Sequence, residues 1–464
     1  MLRIVIFGTG KFYQNRQDEI KACNVEIVAF IDNNLNLQGQ YIDNILVSSP
    51  YCIQQLIFDK IILMSIRTTA KEMRKQLIDL GIDEINIWSW ERFNSEMARG
   101  KFYYYKNKKL NKKYKKILII TSILNYSGAS LAAVYAAQRL QEQNFNVVLM
   151  APKGEQKFIK EISSNKINVV ICPAVPYLHE EEKLFIEQFD IVVVNVFPMI
   201  LCAVECSYLK PTYWWLHESI SVYEEFIEEY AVTGEMLNKV NILAVSDVAK
   251  KNFEKFYNVE RVKVLPYGIP DNSCIMKNKK KDEKIIFAII GSFMKIKGHD
   301  ILLKAVNNLT KTDRLKTEFW FIGGFNKESD YYIELQDIMQ ENSKIRFWGE
   351  LNRKEMDEIY SYIDVVLNPS RQDACPIVVT EGMMHSKICV TTNVTGMAQY
   401  IEDGKNGFIC NVEDVDSLCK KISWIISHKD ELDEIRKNAR LTYEKYFTME
   451  KFGERLEKAL GLKE

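Results

Sequence analysis

Asn368-Pro369-Ser370-Arg371-Gln372-Asp373-Ala374-Cys375-Pro376-Ile377-Val378-Val379-Thr380-Glu381-Gly382-Met383 is the passage from which the fold is read. The β-branched run before it predicts a strand over residues 365–367, and a polar loop follows. Pro376 then predicts the first turn of a helix, where its missing N–H costs nothing. A strand that feeds a helix through a polar loop is the repeating unit of a doubly wound α/β sheet. The helix start aims its free N–H groups and its positive dipole end at whatever lies beyond the strand ends.

Outward from that unit, the same alternation fills the chain in three series. The third has strands predicted at 285–290, 319–322, 345–348, 365–367 and 388–391, then a largely helical end from Val415. The second has strands at 117–121, 147–150, 169–172, 191–194, 213–216, 242–245 and 262–265. The first has strands at 3–7, 26–31, 60–64 and 84–88. Short apolar runs of this kind belong to buried parallel sheets. Two polar, Lys-rich stretches separate the series. The reading is α/β: a small Rossmann-like domain over 1–100, a basic linker over 101–116, an N-terminal lobe over 117–271, a linker over 272–284 and a C-terminal lobe over 285–464. The last helix is expected to pack back on the N-terminal lobe. Two doubly wound lobes in tandem place a cleft at the carboxyl ends of both sheets.

The bulk numbers set limits. A chain of 464 residues is too long for one core. Lys+Arg and Asp+Glu are 62 each, which argues against a dedicated nucleic-acid binder. The start, Met1-Leu2-Arg3-Ile4-Val5-Ile6-Phe7-Gly8, reads as a strand and a glycine turn, not a signal peptide. The most apolar stretch, 191–204, is broken by Asn195 and Pro198 and is too short for a bilayer span. The ten cysteines are scattered. Cys202 and Cys206 share a helix face without a second ligand pair, so no metal site is expected. The pattern suits a reducing compartment, with a cytoplasmic location expected.

Asp373 and Glu381 alone would read as a solvated loop acid and a helix-surface acid. Their neighbours supply context. The passage resembles the E-x7-E segment of glycosyltransferase family 4, in the variant with Asp first. Gly291-Ser292-Phe293-Met294-Lys295-Ile296-Lys297-Gly298 resembles that family's strand–loop–Lys-Gly element. Phe321-Ile322-Gly323-Gly324, Phe347-Trp348-Gly349-Glu350 and the stretch from Gly396 to Gly407 resemble later landmarks. So do Tyr213-Trp214-Trp215-Leu216-His217-Glu218, Ala244-Val245-Ser246 and Val264-Leu265-Pro266-Tyr267-Gly268-Ile269. Roughly residues 115–460 are covered.

The resemblance implies the GT-B architecture and a retaining, metal-independent transfer of a hexose-type sugar from a nucleotide-diphosphate donor, UDP on family frequency. It implies that Lys297 binds the diphosphate, Glu381 the ribose hydroxyls and Asp373 the transferred sugar. Ala374, Cys375, Pro376 and Ile377 would contact that sugar through their backbones. His217 would stand beside the reacting centre, and Gly128, in the loop Ser127-Gly128-Ala129-Ser130, would approach the phosphates from the opposite wall. Gly349, Glu350 and Leu351 would line the base and Gly396 the donor pocket. Where many members carry Arg, this chain has Ser292, which shifts phosphate charge onto Lys297 and helix starts, with help from Arg371. Glu218 receives no role.

In the first series, Gly8-Thr9-Gly10 and Asp32 match part of a dinucleotide fingerprint, but Tyr13 takes the third glycine's place. NAD is therefore not expected. The stretches Ile31-Asp32-Asn33-Asn34 and Ser48-Ser49-Pro50 resemble small Rossmann-like domains attached to bacterial sugar-modifying enzymes, here a docking or oligomerisation module. The eight lysines of 101–116, set among tyrosines, suit either a solvated linker or an anionic membrane surface at the inner leaflet, where lipid-linked acceptors reside. The expected partners are a nucleotide-sugar and a glycan, lipid-linked or protein acceptor of surface glycan synthesis. Two alternatives stay open: a catalytically inactive GT-B partner of another transferase, and an NAD-dependent nucleotide-sugar epimerase or dehydrogenase.

Overall fold

In the computed structural model, the described residues are 1–106, 111, 113–230, 232–259, 261–273, 284–339 and 344–463. Most of the predicted linker over 272–284, and residues 107–110 and 112 of the basic stretch, lie outside them. The chain divides into two compact units. One is Met1–Tyr103 with Cys172–Leu184, and the other is Tyr104–Ile171 with Phe185–Glu464.

The first unit holds a six-stranded sheet of β1 (Leu2–Phe7), β2 (Val25–Ile31), β3 (Tyr41–Ile42), β4 (Ile45–Ser48), β5 (Lys60–Leu63) and β6 (Ile87–Ser89). Their order is β3-β4-β2-β1-β5-β6, parallel except for the β3–β4 hairpin. Apolar side chains cover both faces, with Ile4, Ile6 and Ile62 on one and Val5, Phe7 and Ile61 on the other. Residues 84–86, expected as strand, form a helical turn capped by the Asp83 side chain, and the strand starts at Ile87.

At the switch point between β1 and β5, Gly8 has φ +98°, and a Cβ there would come within 2.7 Å of the Met64 carbonyl oxygen. The turn is closed by its own chain. The Thr9 N–H and hydroxyl donate to Asp32 Oδ2 at 2.6 and 2.9 Å. The Asn34 N–H donates to the other oxygen of Asp32. The helix that follows spans four residues, Lys11–Gln14. Its Tyr13 is buried edge-on against Phe30. A third glycine's role in close helix–strand packing has been replaced by an aromatic in the core.

The inserted residues 172–184 belong to this unit through side-chain bonds. Ser95 Oγ donates to the Ala174 carbonyl. Arg99 Nε donates to Glu181 at 2.7 Å, and buried Glu182 accepts from the Gly100 N–H at 2.8 Å.

The second unit carries two further sheets. The eight-stranded one comprises β7 (Tyr103–Tyr105), β8 (Lys116–Ile120), β9 (Asn146–Ala151), β10 (Asn168–Ile171), β11 (Ile191–Asn195), β12 (Thr212–Leu216), β13 (Val240–Ala244) and β14 (Lys263–Val264). Its order is β14-β13-β12-β11-β8-β9-β10-β7. The six-stranded one comprises β15 (Ile285–Ile290), β16 (Thr317–Ile322), β17 (Ile345–Gly349), β18 (Val365–Asn368), β19 (Ile388–Thr392) and β20 (Phe408–Cys410), ordered β17-β16-β15-β18-β19-β20.

The pairings defined for β8 through β20 are parallel. The strand order therefore reverses between β8 and β11 in one lobe and between β15 and β18 in the other. Open parallel sheets bind ligands in the crevice outside such reversals. The final helix, Met449–Ala459, packs on the helix Gly128–Glu142 of the first lobe. Gly453 permits this, since a Cβ there would fall 2.2 Å from Arg139 Nε.

Candidate active site

Both loops at the C-lobe reversal run side by side. After β15 the chain passes through Gly291, an open turn and Lys295–Lys297, then reverses at Gly298 with φ +75°. A Cβ on Gly298 would lie 2.1 Å from the Pro369 carbonyl oxygen, so backbone meets backbone there. The Arg371 N–H donates to the Ile296 carbonyl at 2.8 Å, which ties the loops together. Lys297, 76 residues from Asp373, thereby places its Nζ 2.6 Å from Asp373 Oδ2. The lysine side chain keeps about a third of its surface, and the aspartate 13%.

The loop behind Asp373 is fixed from both lobes. Ser246 Oγ of the first lobe donates to the Ala374 carbonyl at 2.5 Å, and the Tyr267 hydroxyl donates to the Cys375 carbonyl at 3.2 Å. Gly396 lies against the same carbonyl of Ala374, where a Cβ would approach to 1.8 Å, and its N–H donates to the Asp373 carbonyl at 3.0 Å. With these carbonyls engaged on one side, the helix Ile377–Met384 begins behind Pro376 with no side-chain cap.

The helix Gly128–Glu142 also begins without a side-chain cap. Position 128 faces Ile377 across the cleft, where a Cβ on the glycine would stand 3.8 Å from the isoleucine Cγ2. Two helix starts without side-chain caps thus approach each other at Gly128 and Ile377, just along the chain from Asp373 and the lysine it holds. Such a place favours an anion by dipole and by direct donation.

Glu381 sits one turn into the second helix, buried. Its Oε1 is ion-paired with Arg353, and its Oε2 accepts from the Tyr360 hydroxyl at 3.0 Å. Arg353 opens the helix Arg353–Tyr360, whose Asn352–Glu355 capping box fixes which side chain leads the first turn. Sequence reading missed Arg353. The cap was legible, but the direction in which the helix presents its first turn was not. Tyr135 of the first lobe stands in the electrostatic field of the same pair, and burial pushes its hydroxyl up to about 12.

The remaining candidates divide. Ser292 is exposed at the mouth of the Gly291 turn. Gly349, with φ +73°, accepts the Gly323 N–H at 2.8 Å, and Glu350 lies against Gly324, which puts 349–351 at the end of β17 beside the β16 loop. Arg371 is committed elsewhere. Its guanidinium donates twice to Asp300 at 2.8 Å and also to Glu413 and the Lys295 carbonyl. It braces the lysine loop from behind.

His217, just beyond β12, packs on Trp215 at 4.5 Å, and its Nε2 is buried with no hydrogen-bond partner. Burial lowers the imidazole to about 3, so it is neutral. Four residues on, the Ser221 N–H donates to Gln372 Oε1 at 3.3 Å, which brings the His217 loop to the Asp373 loop. The next residue, Glu218, is buried and pushed up to about 7 by burial, against the lowering effect of the backbone N–H groups of Phe197 and His217. Among the described residues, no group of three or more His, Cys, Asp or Glu side chains could hold a metal ion. Cys202 and Cys206 stand 3.8 Å apart, buried.

Residues 273–442 match the family of glycosyl transferases group 1, and residues 1–88 match the C2185-like, N-terminal family. A relative from Klebsiella pneumoniae, described as an uncharacterized 41.2 kDa protein in the cps region, is 23% identical over 66% of this chain and 68% of its own. The lipopolysaccharide glucosyltransferase WaaG of Escherichia coli is 25% identical over 42% of this chain and 55% of its own.

Among solved structures, Anabaena HepE in complex with UDP and glucose superposes with a TM-score of 0.65 at 17% identity, covering 75% of this chain and all of that one. The two lobes therefore have the GT-B fold, and Lys297, Asp373 and Glu381 all lie within the residues 273–442 that match the glycosyl transferases group 1 family.

Proposed function

We propose that the protein is a glycosyltransferase that takes a sugar from a nucleotide-diphosphate donor bound between its two lobes. The observation that carries this reading is the meeting of two uncapped helix starts, at Gly128 and Ile377, beside the Lys297–Asp373 pair. In it, the diphosphate lies against Lys297 and the N–H groups at Gly128 and Ile377. Lys297 exchanges Asp373 for phosphate oxygens, which frees Asp373 to accept from hydroxyls of the transferred sugar. Glu381 accepts from the ribose hydroxyls, exchanging bonds now made by Arg353 and Tyr360. Backbone groups of Ala374 to Ile377 line the sugar, residues 349–351 the base, and Gly396 keeps the sugar loop close.

The finer reading follows family 4: a UDP-hexose donor, retention at the anomeric carbon and no metal. Charge on the departing diphosphate is stabilised by a fixed cation and oriented N–H donors, an arrangement that needs no reorganisation during the reaction. The bond from the anomeric carbon to the phosphate oxygen breaks as the acceptor oxygen bonds on the vacated face. The acceptor's proton passes to that phosphate oxygen, and neutral His217 lines this side.

The acceptor class is a surface glycan, lipid-linked or protein-linked, a reading supported by the lipopolysaccharide glucosyltransferase among the relatives. The basic stretch 101–116 would serve as a peripheral contact with an anionic membrane, and the domain over 1–100 as a docking or oligomerisation module. No helix among the described residues is long and apolar enough to cross a membrane.

The test is donor hydrolysis on a panel of nucleotide-diphosphate sugars, with and without a chelator. Turnover of at least one donor, unchanged by chelation, is expected. Inertness toward all of them would return the chain to the reading of a catalytically inactive partner.

A further inference from the structure

Glu218 has no place in the donor site, yet it is one of the few buried acids near it. It follows His217 beyond β12 and is 6% exposed. Its Oε1 accepts the Phe197 N–H at 2.7 Å and its Oε2 the His217 N–H at 2.8 Å. One carboxylate therefore ties together the chain segments that leave β11 and β12, the two neighbouring strands on the acceptor side of the lobe's reversal point.

The segment it holds is strained. Val196 has φ +75°, a conformation costly for a β-branched residue and kept only where its surroundings impose it. Its carbonyl accepts from Trp214 Nε1 at 2.9 Å, and the next N–H is the one Glu218 takes. On the same rim, Asn195 is fully buried, with its Nδ2 donating to the Ala129 carbonyl at 2.9 Å and its Oδ1 unpartnered. His217 Nε2 is likewise buried and unpartnered.

We infer that Glu218 is a positioning residue that sets the backbone of His217 and of the Val196–Phe197 turn, and with them the wall against which the acceptor is placed. The catalytic part of this inference rests on the glycosyltransferase reading; the clamp does not.

The groups facing the carboxylate carry no positive charge at neutrality. They are His217 on its own segment, held neutral by burial, and Tyr223 of the helix Ile220–Tyr230, with Tyr257 beyond it. No salt bridge to Glu218 forms among the described residues. With burial pushing Glu218 up to about 7, the clamp changes state near neutrality. The ionised form accepts both N–H groups strongly, whereas protonation turns one oxygen into a hydroxyl, a poorer acceptor, and weakens the N–H bond it holds.

The whole chain has five histidines, so histidine-selective 15N labelling gives five backbone amides, with His217 assigned by its loss in His217→Gln. The His217 amide proton is expected to titrate between roughly pH 5.5 and 8.5 in the wild type and to lose that transition in Glu218→Gln. Sugar transfer should rise through the same range in the wild type. In Glu218→Gln it should show no such limb, with kcat down roughly tenfold at an unchanged donor KM, the effect of one unpaired buried N–H.

A His217 amide that does not move with pH, or moves identically in Glu218→Gln, overturns the clamp. A moving amide with unaltered kinetics in the variant overturns its positioning role. If Glu218→Gln does not fold, a flat wild-type titration still overturns the clamp. Should no donor be turned over, the enzymatic reading falls while the amide titration still decides the clamp.

Discussion

Lys297 is the side chain on which the proposed donor site turns, because there it would supply the charge that a departing diphosphate requires. Its Nζ is held by Asp373 while a third of the side chain stays in solvent, a pairing loose enough to be exchanged for phosphate. Lys297→Ala is expected to lower turnover by roughly 10²–10³-fold, the usual effect of removing one charge-stabilising donor. Steady-state kinetics with the best donor of the panel checks it, and near-normal activity would remove Lys297 from the site. The resemblance put Lys297 and Asp373 in one donor site with separate roles, but their direct pairing, across 76 residues of chain, was not legible. Arg353 was not legible. Its meeting with Glu381 depends on how two helices are rotated in the packed lobe, which local spacing does not encode. Arg371 reads as a free loop cation in sequence, but Asp300, Glu413 and a carbonyl claim it.

At the scale of elements, the site depends on two loops that touch backbone to backbone. Gly298 is the hinge of that contact by both conformation and space. Gly298→Ala combines a left-handed φ with a clash against Pro369, and its neighbour is main chain that cannot swing away. Activity is expected to fall at least tenfold through displaced Lys297, with the far-ultraviolet circular dichroism of the wild type retained.

The same loops rest on the Asp300–Arg371 pair. Burial pushes Asp300 up, but Arg371 and Tyr331 outweigh it and hold the carboxyl at about 2. Stability from this pair is therefore full above the ordinary value of 3.8 and is lost as pH falls through about 2. Arg371→Ala should cost about 3 kcal/mol at neutral pH, because a buried carboxylate loses its bidentate guanidinium and keeps only Tyr331 and the more distant Lys304. In denaturant unfolding, that difference should shrink as the pH drops below about 4. A cost independent of pH would mean that packing, not charge, accounts for it. Parallel strands were legible here from their continuous β-branched runs. The turn at 84–86 was not, because its Asp83 cap outcompetes an apolar run too short to decide between helix and strand.

For the molecule as a whole, the sequence rhythm of strand and helix was enough to expect three doubly wound series, while the GT-B pairing of two of them came from the family resemblance. What it could not encode was affiliation at a distance. Residues 172–184 leave the lobe whose strands flank them and join the N-terminal unit through Ser95, Arg99 and Glu182. No local pattern marks such an insertion, since its partners lie some 80 positions away. Within the N-terminal unit, Asp32 already satisfies the Thr9 turn and Tyr13 fills the core, so added NAD is expected to leave its thermal unfolding midpoint unchanged. A clear upward shift would reopen the dinucleotide reading.

On the proposed function, the two GT-B lobes hold one nucleotide between them, with Lys297 and Glu381 at its two ends. A crystal structure of the full chain grown with UDP tests this most directly. Phosphate oxygens within hydrogen-bond distance of Lys297 Nζ, and ribose hydroxyls on the Glu381 carboxylate, are the predicted result. Nucleotide bound away from these side chains, with the Lys297–Asp373 and Arg353–Glu381 pairs undisturbed, would contradict it.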